Sequence, residues 1–441
     1  MSWLLLLFGG WCALHAFNAW RPVRRNRVLF VWSFFAAWLT IEAAPFWLVV
    51  ELAVGAVLVW LGALDHVVGW VGLVLLAVAW VDLLWLVVQG RAATATAAQA
   101  FGEFGRQELG GWVPASTGKI VVERNVEYRR VAGKRLRLDV YRPAAEGRGR
   151  PAIMQIHGGG WVIGDKREQG IPLLRHLASH GWVGFNVNYR LSPGATFPDH
   201  LIDLKAALAW IRQHADDYGI DPDFVVVTGG SAGGHLTALM GLTANDARYQ
   251  PGFEHADTSV QAAVPFYGVY DFTNRNGTMM PEFHRWIAEP IVIKAFLDDE
   301  PERFADASPL DHIRADAPPF LVVHGDKDTL APVEDARAFV TSLSAVSSSP
   351  VIYVELHGAQ HAFDVFGSPR TRRMVRAVER FLYVVHQAHA APATTLPVPS
   401  EPRSVVAETA AHATELDRAE PDATDPRDDE APAQASAATT S

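Results

Sequence analysis

The run His157-Gly158-Gly159-Gly160-Trp161, answered further along by Gly229-Gly230-Ser231-Ala232-Gly233, decides how this chain is read. Each follows a short apolar stretch, 152–156 and 224–228, that reads as a buried strand. Missing side chains at 229 and 233 permit a sharp strand-to-helix turn that carries the Ser231 hydroxyl, with Ala232–Leu242 opening a helix behind it. The first run sets bare backbone amides beside the other strand end. A serine hydroxyl is a poor nucleophile until a base takes its proton as it attacks. Once it adds to a carbonyl carbon, fixed amide donors stabilise the oxyanion, and loss of one well-placed donor costs roughly 3 kcal/mol in the transition state. Gly158 and Gly159, joined by Ala232, are the expected donors. His157 precedes these amides and is expected to brace the loop, while Trp161 is expected to wall the pocket or else to pack in the core. A phosphate loop is excluded, because Ile163-Gly164-Asp165-Lys166 lacks the Gly-Lys-Ser/Thr ending.

A base and its orienting carboxylate are sought downstream. His324-Gly325-Asp326-Lys327-Asp328 follows the apolar stretch 320–323, and Gly358-Ala359-Gln360-His361-Ala362-Phe363 follows the stretch 351–355. A carboxylate in the first run can accept a hydrogen bond from an imidazole and fix its tautomer, and Asp326 and Asp328 compete for that place. His361 is the candidate base, an exposed histidine on a loop that must be neutral to act. His324 and His357 read as structural. The chemistry needs no cofactor and no metal. Cys12 is the only cysteine, so no disulfide can form within the chain and a cysteine-ligated metal centre is disfavoured.

Around these motifs, strands and helices alternate. Stretches 121–128 and 135–141 read as a hairpin, 183–189 as a strand and 201–214 as a helix; strands are also expected at 260–267, 320–323 and 351–355, with a helix over 333–344. Continuous apolar strands predict an α/β domain over 118–390, with a mostly parallel central sheet covered on both faces. Residues 272–305 break the alternation and read as material for a lid or pocket wall.

The ends of the chain are different in kind. Ten of the 15 tryptophans precede residue 90. Residues 2–17 are apolar, Arg21, Arg24, Arg25 and Arg27 form a basic cluster, and 28–64 is apolar apart from Glu42, Pro45 and Glu51. The run 67–88 has one charge, Asp82, and the roughly 20 residues a bilayer core requires. A membrane segment over 1–90 is therefore expected, with a break near 42–45, Glu42 marking a loop, and three or four spans. A signal peptide followed by globular helices fits less well. With the arginine cluster cytoplasmic, three spans leave the catalytic domain inside and four leave it outside. Residues 91–117 read as a surface helix and linker. Residues 391–441 hold ten acidic residues against three arginines and almost no large apolar side chain, so a disordered acidic tail is expected. That tail supplies most of the net charge of −10, and no basic patch or nucleic-acid motif is present.

Taken together, HGGGW at 157–161, NYRLSP at 188–193, GGSAGG at 229–234, HGDKD at 324–328 and GAQHAF at 358–363 give a resemblance over residues 118–390. The region resembles α/β-hydrolases of the hormone-sensitive-lipase-like esterase family, and is similar to bacterial acetylxylan/feruloyl-esterase and kynurenine-formamidase types. The resemblance implies an α/β-hydrolase fold and a triad of Ser231, Asp328 and His361 that hydrolyses a carboxylic ester; the membrane segment, not the resemblance, points to a small-molecule or lipid ester as substrate and to membrane lipid as partner. Acyl transfer, glycan deacetylation and aryl-formamide hydrolysis use the same triad. A catalytically silent membrane-anchored module is the reading of another class, and it would lack a nucleophile or base. Gly230 departs from the Asp often found there in such esterases, and the membrane segment replaces or precedes their N-terminal cap helices.

Overall fold

The computed structural model describes residues 1–23, 27–102, 104 and 118–391; most of the expected linker, and the acidic tail beyond residue 391, lie outside them. Eight strands form one sheet: β1 Ile120–Val131, β2 Lys134–Pro143, β3 Arg150–Ile156, β4 Val183–Val187, β5 Ile220–Gly230, β6 Ala263–Phe266, β7 Phe320–Gly325 and β8 Val351–Leu356. Their order is β1-β2-β4-β3-β5-β6-β7-β8, antiparallel through β1, β2 and β4 and parallel from β4 to β8. β4 and β7 are buried at every residue, as expected of strands covered on both faces. Helices α5 (Ile171–Ser179) and α9 (Pro369–Ala390) cover one face. On the other lie α6 (Asp199–Gln213), α7 (Ala232–Leu242) and α8 (Val333–Val346), each layer contributing its own apolar core. This is the α/β-hydrolase fold expected from the motifs.

That arrangement gathers the functional segments. The glycine loop follows β3, Ser231 follows β5, Asp328 follows β7 and His361 follows β8. All four leave the carboxyl ends of parallel neighbours, where loops of open α/β sheets converge. The 272–305 segment packs inward. Phe272, Met279, Ala288, Val292 and Ile293 join the core, and His284–Ile293 is wound as a π-helix.

Among the described residues, four helices precede the sheet: α1 Ser2–Trp20, α2 Arg27–Glu42, α3 Ala44–Trp60 and α4 Val67–Phe101. Two of them, α1 and α4, are long and apolar enough to cross a membrane, and a third candidate exists if the pair α2–α3 counts as one span. The four-span alternative finds no fourth helix of that kind among the described residues. The chain bends by 89° between α2 and α3, where Pro45 stands in the first turn of α3 and fits the start of a new helix. Glu42 is not in a loop. It ends α2, is 4% exposed and forms a buried ion pair with Arg370 at the start of α9. The backbones of α1 and α4 meet closely, since a Cβ on Gly9 would come within 2.2 Å of the Gly72 carbonyl oxygen. Small residues permit such approach between apolar helices. α4 then outruns its apolar stretch, and Ala93, Ala97 and Phe101 enter the core beneath α5 and α9.

Candidate active site

β5 ends in a turn that holds Ser231 at φ 60° and ψ −123°, a left-sided conformation costly for any residue with a side chain. The flanking glycines make the turn possible. A Cβ on Gly229 would lie 2.5 Å from the Ile156 carbonyl oxygen, and one on Gly233 would lie 2.2 Å from the same atom. The end of β3 is thus wedged between the last residues of β5 and the first turn of α7. Gly230 has its own reason: a side chain there would meet the Tyr267 hydroxyl at 2.5 Å. That hydroxyl donates to Asp364, just past His361, so the space beside the serine is filled by a phenol and a carboxylate from elsewhere.

His361 and Ser231 are brought together, with Nε2 2.8 Å from the serine oxygen. On the other side of the ring, Nδ1 lies 2.6 Å from Asp328 Oδ2. An ionised carboxylate can only accept, so Nδ1 carries the proton and Nε2 is left to accept from the serine hydroxyl. Asp328 is held from several directions. Its Oδ1 accepts from the amides of Leu330 and Ala331 at 2.8 and 2.9 Å, and His324 Nε2 stands 3.3 Å from Oδ2. Burial pushes its carboxyl up, but the electrostatic pull of His361 and the hydrogen bonds of His324 and His361 outweigh burial and hold it well below the usual carboxylate range. Asp326, the competing residue, instead accepts from the Gly358 amide at 2.7 Å and pairs with His357. Gln360 receives the amides of Thr329 and His361, both at 2.9 Å, and so ties the two loops to each other.

The glycine loop differs in detail from expectation. Gly158 abuts the serine, with Ser231 Cβ 3.0 Å from where its own Cβ would be. Its amide, however, donates to Gln169 Oε1 at 2.7 Å, so it is already satisfied. Among the described residues the amides of Gly159 and Ala232 donate to no acceptor, nor does that of Gly160. Gly159 takes φ 109° against the Ile163 carbonyl, a place open only to glycine. His157 braces the loop: its Nδ1 is 2.8 Å from the Gly158 carbonyl and its ring stacks on Tyr189 at 4.6 Å. Trp161, expected on the pocket wall, is 2% exposed and packs among His235, Phe272 and Phe283. Its indole N–H donates to His235 Nδ1 at 3.1 Å, which leaves His235 Nε2 to donate to the Ala307 carbonyl. Burial pushes His235 down to about 3, consistent with this neutral ring.

His361 was expected to be exposed; it is 4% exposed. The Tyr267 ring lies 4.7 Å from its imidazole and Phe34 of α2 lies edge-on at 6.5 Å. Neither ring carries a sequence signal, because Phe34 reads only as one more apolar residue in the membrane segment. Gln169, Gln360 and Asp364 were missed for a related reason: their roles arise from contacts across the sheet. Among the described residues, His176 of α5, His180 just past its end and Glu379 of α9 form the group suited to a metal ion.

Residues 138–343 match the BD-FAE family model. "Probable carboxylic ester hydrolase LipM" of Mycobacterium tuberculosis is 52% identical over 252 residues, which cover 56% of this chain and 58% of that protein. The chain therefore spans less than two thirds of that relative. An arylesterase of Saccharolobus solfataricus is 30% identical, over 51% of this chain and 71% of its own length. The native structure of Est2, a thermophilic esterase from the Planctomycetes species Thermogutta terrifontis, aligns with a TM-score of 0.51 at 26% identity. That alignment covers 67% of this chain and 100% of the other.

The backbone at 231 gives a test independent of any assay. Ser231→Gly relieves the positive φ, whereas Ser231→Ala does not, so the glycine variant should unfold at higher denaturant concentration by the equivalent of about 1 kcal/mol. Equal midpoints for the two variants in chemical denaturation would show that the turn stores no strain.

Proposed function

Because this chain belongs to the α/β-hydrolase esterases, we propose that it is a serine carboxylic-ester hydrolase working through Ser231, His361 and Asp328. The observation that carries this reading is the unbroken chain from Ser231 Oγ through the His361 ring to Asp328, with bonds of 2.8 and 2.6 Å. Ser231 attacks the ester carbonyl as His361 Nε2 takes its proton, and Asp328 stabilises the imidazolium that forms. The oxyanion is received by the unengaged amides of Gly159 and Ala232; Gly158 joins them if Gln169 lets go. The imidazolium then protonates the leaving alcohol. Water, activated by the same ring, splits the acyl-enzyme into acid and free serine.

Ser231→Ala should lower kcat on an activated ester by at least about 10⁴-fold and abolish labelling by a serine-reactive phosphonate. Asp328→Asn should lower it by about 10⁴-fold and slow phosphonate labelling with it, because the orienting carboxylate is lost while the serine itself is kept. A Ser231→Ala enzyme as fast as wild type removes the proposal.

The pH profile follows from the two partners. His361 must be neutral to accept the serine proton, so kcat/KM falls as the medium is acidified. Asp328 is held below the usual carboxylate range and stays ionised over this span, so a single proton governs the decline. A plot of log kcat/KM against pH should approach a slope of one on the acid side; a flat line between about pH 5 and 8 argues against rate-limiting base catalysis.

We also infer that the N-terminal helices hold the enzyme in a membrane. α1 and α4 run in the same direction, pairing Leu5 with Gly72 near one end and Trp20 with Asp82 near the other. α3 returns against them, with Gly55 against Leu76 and Trp80. Three crossings then leave the Arg21–Arg27 end of α2 and the catalytic domain on one side, which the basic cluster marks as cytoplasmic. A membrane-impermeant protease should digest the catalytic domain in inside-out vesicles and spare it in intact cells stripped of their wall; the reverse pattern reverses the topology.

A further inference from the structure

The histidine of the site lies under a helix that belongs to the membrane segment. Three successive turns of α2 touch the loop that carries it. Phe34 stands edge-on to the His361 ring at 6.5 Å. One turn on, the Trp38 indole donates to the Ala362 carbonyl at 3.0 Å and its ring meets Phe366 at 4.7 Å. At the end of the helix, Glu42 pairs with Arg370, which also donates to the Gly358 carbonyl at 3.2 Å. These contacts bracket His361 on both sides along the chain, and the ring has only 4% of its surface open. Ser231 is less covered, at an intermediate burial.

The opposite face of α2 carries Val31, Trp32, Phe35 and Leu39, which are 51, 76, 48 and 41% exposed. Large apolar side chains gain by leaving water, so a row of them belongs in hydrocarbon. The helix has 16 residues and meets α3 at 89°, so it runs across the direction of the crossing helices rather than along it. One face of a single helix therefore meets lipid while its other face meets the proposed base.

We propose that α2 is the wall of an acyl-chain binding site, and that the ester reaching Ser231 is a long-chain carboxylic ester already dissolved in the bilayer. The ester moves sideways past Phe34 and Trp38 with its acyl chain kept against α2. Its carbonyl arrives between Ser231 and the Gly159 and Ala232 amides. This rests on the carboxylesterase reading and adds the substrate class and its route. The reaction is unchanged: ester and water give fatty acid and alcohol.

The test uses the full chain reconstituted in phosphatidylcholine vesicles, with long-chain diacylglycerol in the bilayer as one probe and water-soluble p-nitrophenyl acetate as the other. For every variant that keeps Ser231, rates are counted per Ser231 labelled by a phosphonate, so that misfolded protein drops out; Ser231→Ala is counted per reconstituted chain. In Phe34→Ala and in Trp38→Ala, the ratio of diacylglycerol to acetate hydrolysis should fall about tenfold; an unchanged ratio in both overturns the proposal. With the unaltered enzyme, diluting the diacylglycerol within the bilayer at constant bulk concentration should slow hydrolysis in proportion. A rate that follows bulk concentration, or acetate hydrolysis with no attack on diacylglycerol, also overturns it. Ser231→Ala separates the two levels. If it keeps both activities, the esterase reading fails; if it loses both while the ratio stands unchanged in the α2 variants, only the route through α2 fails.

Discussion

The close approach of β3, β5 and α7 at Ile156 is the constraint on which the site depends. The Ile156 carbonyl sits where a Cβ on either Gly229 or Gly233 would have to go. Only with both positions bare can the strand turn so abruptly into a helix, and only that turn forces Ser231 to φ 60°. The strain is local, and the core holds it in place: β5 pairs with β3 and β6 along its length, and α7 is buried at every residue. The same crowding brings Gly158 against Ser231, so the nucleophile and the glycine loop are positioned by one packing event.

The second organising feature is the hold that buried polar groups keep on the His361 loop. Asp328 is fixed by two amides and two imidazoles, and Gln360 bridges the loops on either side. From the N-terminal side, Arg370 and Glu42 form an ion pair with almost no solvent contact. Removing one member of such a pair leaves a buried charge without its partner, commonly at a cost of about 3–5 kcal/mol. The attachment of α2 to the catalytic loop is therefore part of the fold. It links the apolar N-terminal helices to the proposed base through contacts that a relative without these helices would not have.

How much of this was legible in the sequence depended on the range of the interaction. The strands, the serine turn and the order of serine, carboxylate and histidine along the chain could all be read, because each is written in a short run of residue types. The break near Glu42 was readable for the same reason, Pro45 being a local signal. Other assignments required the fold. Asp326 and Asp328 stand two residues apart and look alike in sequence, yet one faces His357 and the other His361. The Gly158 amide is taken up by Gln169, and Trp161 packs among the aromatic residues of the core. Glu42 was taken for a loop marker because its partner, Arg370, is 328 positions away.

By itself, then, the order of residues determined the architecture and the chemistry available to it: backbone conformation and hydrophobic period are properties of near neighbours. Tertiary structure alone decided which carboxylate serves the imidazole, which amides stay unengaged and what covers the histidine. Those outcomes depend on side chains that meet across the sheet from distant parts of the chain, and no local pattern encodes such a meeting.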